Sequence, residues 1–124
     1  MKKAKIMIVE DEILFAMDLK SDLSGMGYEI CELVGSGEAA IKNAEQERPD
    51  VALIDIILDG EMNGIDAARE IRSRYGTRII FVTGCEDEGI KKLADAVRPV
   101  EYFIKPVAIK YIRLAIEKAL QNHE

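Results

Sequence analysis

Five short apolar runs alternate with five helix-like stretches along the 124 residues of this chain. The runs are four to six residues long and rich in Val and Ile, which is typical of buried strands. They lie at residues 4–9, 29–34, 51–54, 78–82 and 100–104. Because a helix-like stretch follows every run, the pattern predicts an α/β fold, a parallel sheet with helices on both faces.

The stretches between the runs repeat apolar residues at spacings of three and four, the period of an amphipathic helix. They predict helices over residues 12–26, 37–47, 64–75, 87–97 and 107–121. In the first helix, the expected core stripe consists of Phe15, Leu19, Leu23 and Met26.

Three apolar residues of the first helix, Ile13, Leu14 and Met17, fall off that stripe. One hypothesis is that they form an exposed patch that docks a helix of a partner protein. Packing under a neighbouring loop explains them equally well.

Composition excludes several classes of protein. Apolar residues make up 48% of the chain, which favours one folded domain over residues 1–124 and argues against disorder. The net charge of −6 argues against direct binding of nucleic acid. No apolar run approaches the roughly 18–20 residues of a membrane span. Cys31 and Cys85 lack metal-site spacing and are expected to be reduced thiols, so we expect a cytoplasmic protein.

Chemically capable side chains follow four of the five predicted strands. Glu10, Asp11 and Glu12 follow the first strand, Asp55 the third, Thr83 and Gly84 the fourth, and Lys105 and Pro106 the fifth. Carboxyl ends of parallel strands meet at one edge of a sheet, where such folds bind ligands. We therefore expect one site there, without Glu12, which is assigned to the start of the first helix because an acid favours the helix dipole.

The carboxylates predict a divalent cation. Neighbouring carboxylates repel one another unless a cation offsets their charge. Mg²⁺ prefers oxygen ligands and takes one or two carboxylates while retaining waters. Asp11 and Asp55 are the expected ligands, and Glu10 is expected to act through water.

The remaining groups of this edge predict phosphoryl chemistry. An aspartate can form an acyl phosphate, so Asp55 is the candidate nucleophile. Lys105 and the Thr83 hydroxyl can contact two phosphoryl oxygens, and the N–H groups of Gly84 and of the backbone after Asp55 are further donors.

Five segments occur together in a family's order and spacing: IVEDE (8–12), ALIDIIL (52–58), NGIDAAREIR (63–72), FVTG (81–84) and YFIKP (102–106). With these segments the chain resembles the receiver domain of two-component response regulators, of the chemotaxis type. The resemblance implies a flavodoxin-like (βα)5 fold with strand order 2-1-3-4-5. It also implies that a histidine kinase or histidine phosphotransfer protein phosphorylates Asp55, and that the domain later dephosphorylates itself.

The resemblance also implies roles for individual residues. Asp11, Asp55 and the carbonyl of Ile57 would bind Mg²⁺ or Mn²⁺, with Glu10 as the other member of the acidic pair. The N–H groups of Ile57 and Gly84 would be phosphate donors.

Further implied roles concern the switch. Thr83 and Tyr102 would be the switch residues, Lys105 would contact the phosphate, and the peptide before Pro106 is expected to be cis. Phosphorylation would change the face made by the fourth helix, fifth strand and fifth helix, where an effector or a second copy of the chain would bind.

Two segments depart from the family pattern. The loop 58–64 lacks the usual proline and looks longer than the common version. Residues 97–100, Val-Arg-Pro-Val, replace the more usual Gly-Ala turn.

Alternative functions stay open at this point. A degenerate receiver could act only as a protein-binding module. An aspartyl-phosphate phosphatase wants Asp-x-Asp where this chain has Asp55-Ile56-Ile57, and a flavin or nucleotide binder needs a Gly/Ser/Thr phosphate loop where it has acids. The one histidine, His123, is not a plausible phosphoryl donor, so we expect a separate donor and no stand-alone enzyme.

Overall fold

The protein is described here by a computed structural model, which describes residues 3–121. Within these residues the strands are β1 (Lys5–Val9), β2 (Glu29–Ile30), β3 (Val51–Ile54), β4 (Arg78–Thr83) and β5 (Glu101–Ile104). The helices are α1 (Ile13–Gly25), α2 (Gly37–Glu47), α3 (Gly64–Tyr75), α4 (Glu88–Asp95) and α5 (Ile109–Gln121). All strand pairs are parallel and the order is β2-β1-β3-β4-β5, which confirms the predicted fold.

The helices cover both faces of the sheet. Residues of α1 and α5 pack with Ile6 and Ile8 of β1 in one core, and residues of α2, α3 and α4 pack with Met7 and Val9 in the other. Successive side chains of a strand point to opposite faces, which is why every residue of β3 is buried. None of the helices in residues 3–121 is long and apolar enough to cross a membrane.

The second strand is shorter than the predicted 29–34. Only Glu29 and Ile30 pair regularly with β1, although Cys31 N donates to Ile6 O at 3.0 Å and Val34 forms an isolated bridge with Val9. β2 is an edge strand with a partner on one side only, so apolar content alone does not keep the whole run in register.

The core stripe of α1 differs from the prediction at its C-terminal end. Met26 is 41% exposed, because α1 ends at Gly25 and the backbone turns away there. Phe15 is partly buried and packs against the same core as Leu19 and Leu23, which Ala16 also joins. The three residues expected off the stripe are indeed exposed, at 65% for Ile13, 76% for Leu14 and 54% for Met17.

Candidate functional site

The parallel sheet brings the predicted acids together at its carboxyl edge. Glu10 and Asp11 follow β1, and Asp55 follows β3, which is the neighbouring strand. Glu10 and Asp55 are buried, at 5% and 7% exposure. Each of the three residues offers a carboxylate oxygen, and these oxygens all lie within 4.8 Å of one another.

Lys105, which follows β5, reaches across the sheet edge to three carboxylates. Its Nζ lies 2.9 Å from Glu10 Oε1, 3.1 Å from Asp55 Oδ2 and 3.1 Å from Glu12 Oε1. Glu12 therefore belongs to the ion-pair network, and the prediction that it only starts the helix is wrong. The physical reason is its length, since its side chain can reach back over the sheet edge from the first position before α1.

An aromatic ring also holds Lys105. The Nζ lies 4.4 Å from the centroid of the Phe15 ring, a cation–π distance. Phe15 also packs against the core, as predicted, so its ring contacts both that core and Lys105. The ring provides an apolar wall that limits water around the ammonium group.

The fourth strand contributes Thr83, which is fully buried at the end of β4. Its hydroxyl oxygen accepts a hydrogen bond from Cys85 N at 3.3 Å, and the hydroxyl helps to lower the pKa of the Asp55 carboxyl. Thr83 thus links the phosphoacceptor candidate to the loop that leads into α4.

Tyr102 fastens the same loop from β5. Its hydroxyl donates to the carbonyl of Cys85 at 3.0 Å, and its ring lies 6.0 Å from that of Phe81. The ring is partly exposed rather than enclosed. Thr83 and Tyr102 therefore hold the two sides of Cys85, one through its N–H and the other through its carbonyl.

The loop after β3 wraps closely around Asp55. The N–H of Ile57 donates to Asp55 Oδ1 at 3.2 Å, and the N–H of Gly64 donates to Ile56 O at 2.8 Å. A Cβ on Gly64 would lie 2.0 Å from the carbonyl oxygen of Asp55, so only glycine fits there. The peptide between Lys105 and Pro106 is cis.

Burial and mutual repulsion shift the titration of the acids. Burial, together with hydrogen bonding to Asp55, raises the pKa of Glu10 to about 8 despite the opposing effect of Lys105. Burial also raises the pKa of Asp55, but hydrogen bonds from Glu10, Thr83 and Lys105 more than offset it and leave the pKa lowered. The site therefore favours the ionised form of Asp55 and disfavours that of Glu10.

The residues present fit a divalent cation. Among residues 3–121, Lys105 is the one cation that pairs with the carboxylates of Glu10, Glu12 and Asp55. Asp11 adds a fourth carboxyl group, whose pKa is raised by burial and by Asp59. A raised pKa means that the ionised carboxylate lacks compensating charge. A hard, oxygen-seeking cation such as Mg²⁺ supplies that charge.

The sequence identified most of this cluster but missed three members. Glu12 was assigned to the helix, Phe15 to the core, and Gly64 only to a turn. Of these, Gly64 had a usable signal, because a glycine directly after an Asn at a helix start suggests a close backbone approach. His123 lies outside the described residues.

Sequence comparison relates the chain to known proteins. The family described as the response regulator receiver domain matches residues 6–117. The transcriptional regulatory protein PdtaR of Mycobacterium tuberculosis is 34% identical over 118 residues, which are 95% of this chain and 57% of PdtaR. The chain thus spans a little over half the length of that relative.

Solved structures with the same arrangement are also similar. The signal receiver domain of a modulated diguanylate cyclase from Desulfovibrio desulfuricans has a TM-score of 0.92 at 34% identity, over 97% of this chain and 95% of that one. A CheY-like response regulator receiver domain protein from Methanospirillum hungatei has a TM-score of 0.90 at 26% identity, with the same two coverages.

Proposed function

The chain belongs to the response regulator receiver domain family of two-component signalling, and we propose that residues 1–124 are one phosphoacceptor switch with Asp55 as the acceptor. The observation that carries this proposal is the contact between Lys105 Nζ and the ionised, buried Asp55 carboxylate at 3.1 Å. A lysine in this place can follow a phosphoryl group onto the same carboxylate oxygen and offset its charge.

A divalent cation completes the proposed site. Asp11, Asp55 and the carbonyl of Ile57 would hold Mg²⁺ or Mn²⁺, with Glu10 next to them. When bound, the cation supplies positive charge that offsets the charge on the phosphoryl oxygens.

The transfer step uses the carboxylate of Asp55. An Asp55 oxygen attacks the phosphorus of a phosphohistidine on a partner, a P–O bond forms, and the P–N bond breaks with its electron pair leaving on the imidazole, which takes up a proton from water. Lys105 and the N–H groups of Ile57 and Gly84 stabilise the charge on the transferred group. Water later attacks the phosphorus of the acyl phosphate, the P–O bond to Asp55 breaks, and inorganic phosphate and the free carboxylate are restored.

The output step begins at Thr83. In the unphosphorylated protein its hydroxyl accepts from the N–H of Cys85 and favours the ionised form of Asp55. A phosphoryl oxygen on Asp55 competes for that hydroxyl, the loop holding Cys85 moves, and Tyr102 loses its present hydrogen bond. The equilibrium then shifts between two arrangements of the face made by α4, β5 and α5.

Receiver domains of this family interact with histidine kinases and with effectors. For this chain we propose that the donor, a sensor kinase or a histidine phosphotransfer protein, docks a helix on Ile13, Leu14 and Met17, which are exposed beside the acidic edge. An effector, or a second copy of the chain, would bind the face made by α4, β5 and α5. Cytoplasmic residence fits both interactions.

Incubation with acetyl phosphate and Mg²⁺, followed by intact-mass spectrometry, tests the assignment. We expect the wild type and Asp59→Asn to become labelled and Asp55→Asn to stay unlabelled. Labelling of Asp55→Asn at the wild-type rate would reject Asp55 as acceptor. Absence of label on the wild type would favour a binding module, and repeated turnover of a separate phosphate ester would favour a phosphatase.

A further inference from the structure

Within residues 3–121, three carboxylates and one aromatic ring surround the ammonium group of Lys105. The carboxylates of Glu10, Asp55 and Glu12 lie 2.9, 3.1 and 3.1 Å from Nζ, and each accepts a hydrogen bond from it. An ammonium group has three N–H donors, so these carboxylates use all of them. The ring of Phe15 lies over Nζ, with its centroid 4.4 Å away. No step proposed above uses this ring.

The ring of Phe15 is anchored by the core. Phe15 belongs to α1 and packs against the core that contains Leu19, which lies on the same face of the helix four residues later. Glu12, in contrast, precedes α1, and its side chain is 69% exposed. An anchored ring defines where the ammonium group can lie, whereas an exposed carboxylate can turn away into solvent.

The ring contact also tolerates a movement of Lys105 that the hydrogen bonds do not. The attraction between a cation and an aromatic face extends to about 6 Å from the centroid, so the present distance leaves room for a shift of roughly 1.5 Å. A hydrogen bond of 3.1 Å to a carboxylate is lost over the same displacement. When Lys105 moves towards an oxygen of a phosphoryl group on Asp55, the ring is therefore a partner that it keeps.

We propose that Phe15 is a positioning residue for the phosphorylation of Asp55, a role that rests on the function proposed above. Its ring holds the Lys105 ammonium group at the sheet edge while that group exchanges a carboxylate for a phosphoryl oxygen. The ring also keeps water from one side of the ammonium group, so the attraction to the charge of the transferred group is less screened. Leucine would fill similar core space at position 15 but has no aromatic face. Packing alone therefore tolerates Phe15→Leu, whereas positioning requires the ring.

The first measurement is the rate of labelling by acetyl phosphate, followed by intact-mass spectrometry at Mg²⁺ concentrations that saturate each variant. We expect Phe15→Leu to lower this rate about two- to fivefold, the range that a single cation–π contact supports. Phe15→Tyr keeps the ring and should label at close to the wild-type rate. Leu19→Val is the matched control for lost packing in the same helix and core, and it should also label like the wild type.

A double-mutant cycle separates positioning from packing. In a Lys105→Met background, measured over longer incubations, Phe15→Leu should have no further effect, because the ring then has no ammonium group to hold. A wild-type rate for Phe15→Leu, or the same fold-loss in both backgrounds, would overturn the role of Phe15. Absence of label on the wild type would instead overturn the function on which this role rests, so the two failures are distinguishable.

The position of Lys105 can be measured without any phosphoryl donor. The methylene protons next to Nζ lie near the face of the Phe15 ring, whose ring current shifts their NMR resonances upfield. We expect this shift in the wild type and in Phe15→Tyr, and its loss in Phe15→Leu. Phe15→Met, a second replacement of similar volume without a ring, repeats the comparison if Phe15→Leu does not fold. Identical Lys105 resonances with and without the ring would contradict the proposed contact.

Discussion

Glu12 offers the sharpest test of how the acidic edge controls Lys105. Its Oε1 lies 3.1 Å from Lys105 Nζ, and its side chain is 69% exposed. To contact a phosphoryl oxygen on the Asp55 carboxylate, Lys105 has to give up part of its present coordination. We therefore expect Glu12→Gln to accelerate phosphorylation by acetyl phosphate.

The size of the effect follows from the exposure of the pair. Exposed ion pairs contribute about 0.2–1 kcal/mol, which corresponds to an increase in rate of up to about fivefold. Glu12 precedes α1 without making a side-chain cap hydrogen bond, so its replacement by Gln does not weaken the start of the helix. The free energy of unfolding should consequently fall by no more than the about 0.2–1 kcal/mol that the exposed ion pair with Lys105 contributes.

Removing one negative charge near the site also helps an anionic donor to approach, and this contribution needs a separate control. Asp59→Asn removes a charge that acts on Asp11, and within residues 3–121 the acids that pair with Lys105 are Glu10, Glu12 and Asp55, not Asp59. The rate of labelling at several acetyl phosphate concentrations should rise more for Glu12→Gln than for Asp59→Asn. In a Lys105→Met background, the two changes should become equal. An unchanged or lower rate for Glu12→Gln would refute the reasoning. So would equal gains for Glu12→Gln and Asp59→Asn in the protein that keeps Lys105.

Four further predictions concern other parts of the molecule. Because the fold raises the pKa of Glu10 from 4.5 to about 8, the folded state binds the extra proton, so stability without divalent cation should fall as pH rises towards and through 8. In urea denaturation, the free energy of unfolding of the wild type should be lower at pH 8.5 than at pH 6 by at least about 1.4 kcal/mol, and Glu10→Gln should remove this difference. An equal dependence on pH in both proteins would contradict the prediction. Gly64→Ala should destabilise by about 3 kcal/mol through the backbone clash, whereas Gly25→Ala, with open space around its Cβ, should be neutral within about 1 kcal/mol in the same melts. Tyr102→Phe removes one partly buried hydrogen bond and should lower the free energy of unfolding by about 1 kcal/mol, with unchanged labelling by acetyl phosphate. A stability equal to that of the wild type would mean that this hydrogen bond does not stabilise the fold. Met17→Glu should slow transfer from a phosphohistidine donor several-fold and spare labelling by acetyl phosphate, and an equal loss with both donors would exclude docking at this patch.

The pattern of apolar runs in the sequence predicted most of the fold. β3 begins and ends where the sequence predicts, and so do α2 and α3, because their apolar periods and the flanking Gly, Pro and Asn residues agree with one another. The prediction was weakest at the sheet edge, where β2 keeps only two regularly paired residues. The predicted run there is apolar, but β2 pairs with a neighbour on one side only, so its apolar residues do not by themselves keep the whole run paired.

The candidate site was predictable wherever a residue directly follows a strand. The carboxyl ends of parallel strands all lie at the same edge of the sheet. Once the strand order was known, Asp11, Asp55, Thr83 and Lys105 were therefore expected close together at that edge. Glu12 and Phe15 lie one step further along the chain, in a turn and a helix. Their long side chains could point to the core, to solvent or to the site, and periodicity alone could not decide between these.

The sequence by itself therefore determined the layered α/β architecture, the parallel sheet and the chemical groups at its carboxyl edge, and its resemblance to receiver domains implied the strand order. Only the tertiary structure decided how those groups share charge: Lys105 binds three carboxylates at once, Phe15 lies against it, and Gly64 leaves room for the backbone of Asp55. The physical reason is that backbone periodicity is set by local sterics, whereas contacts between long side chains depend on which elements pack against each other.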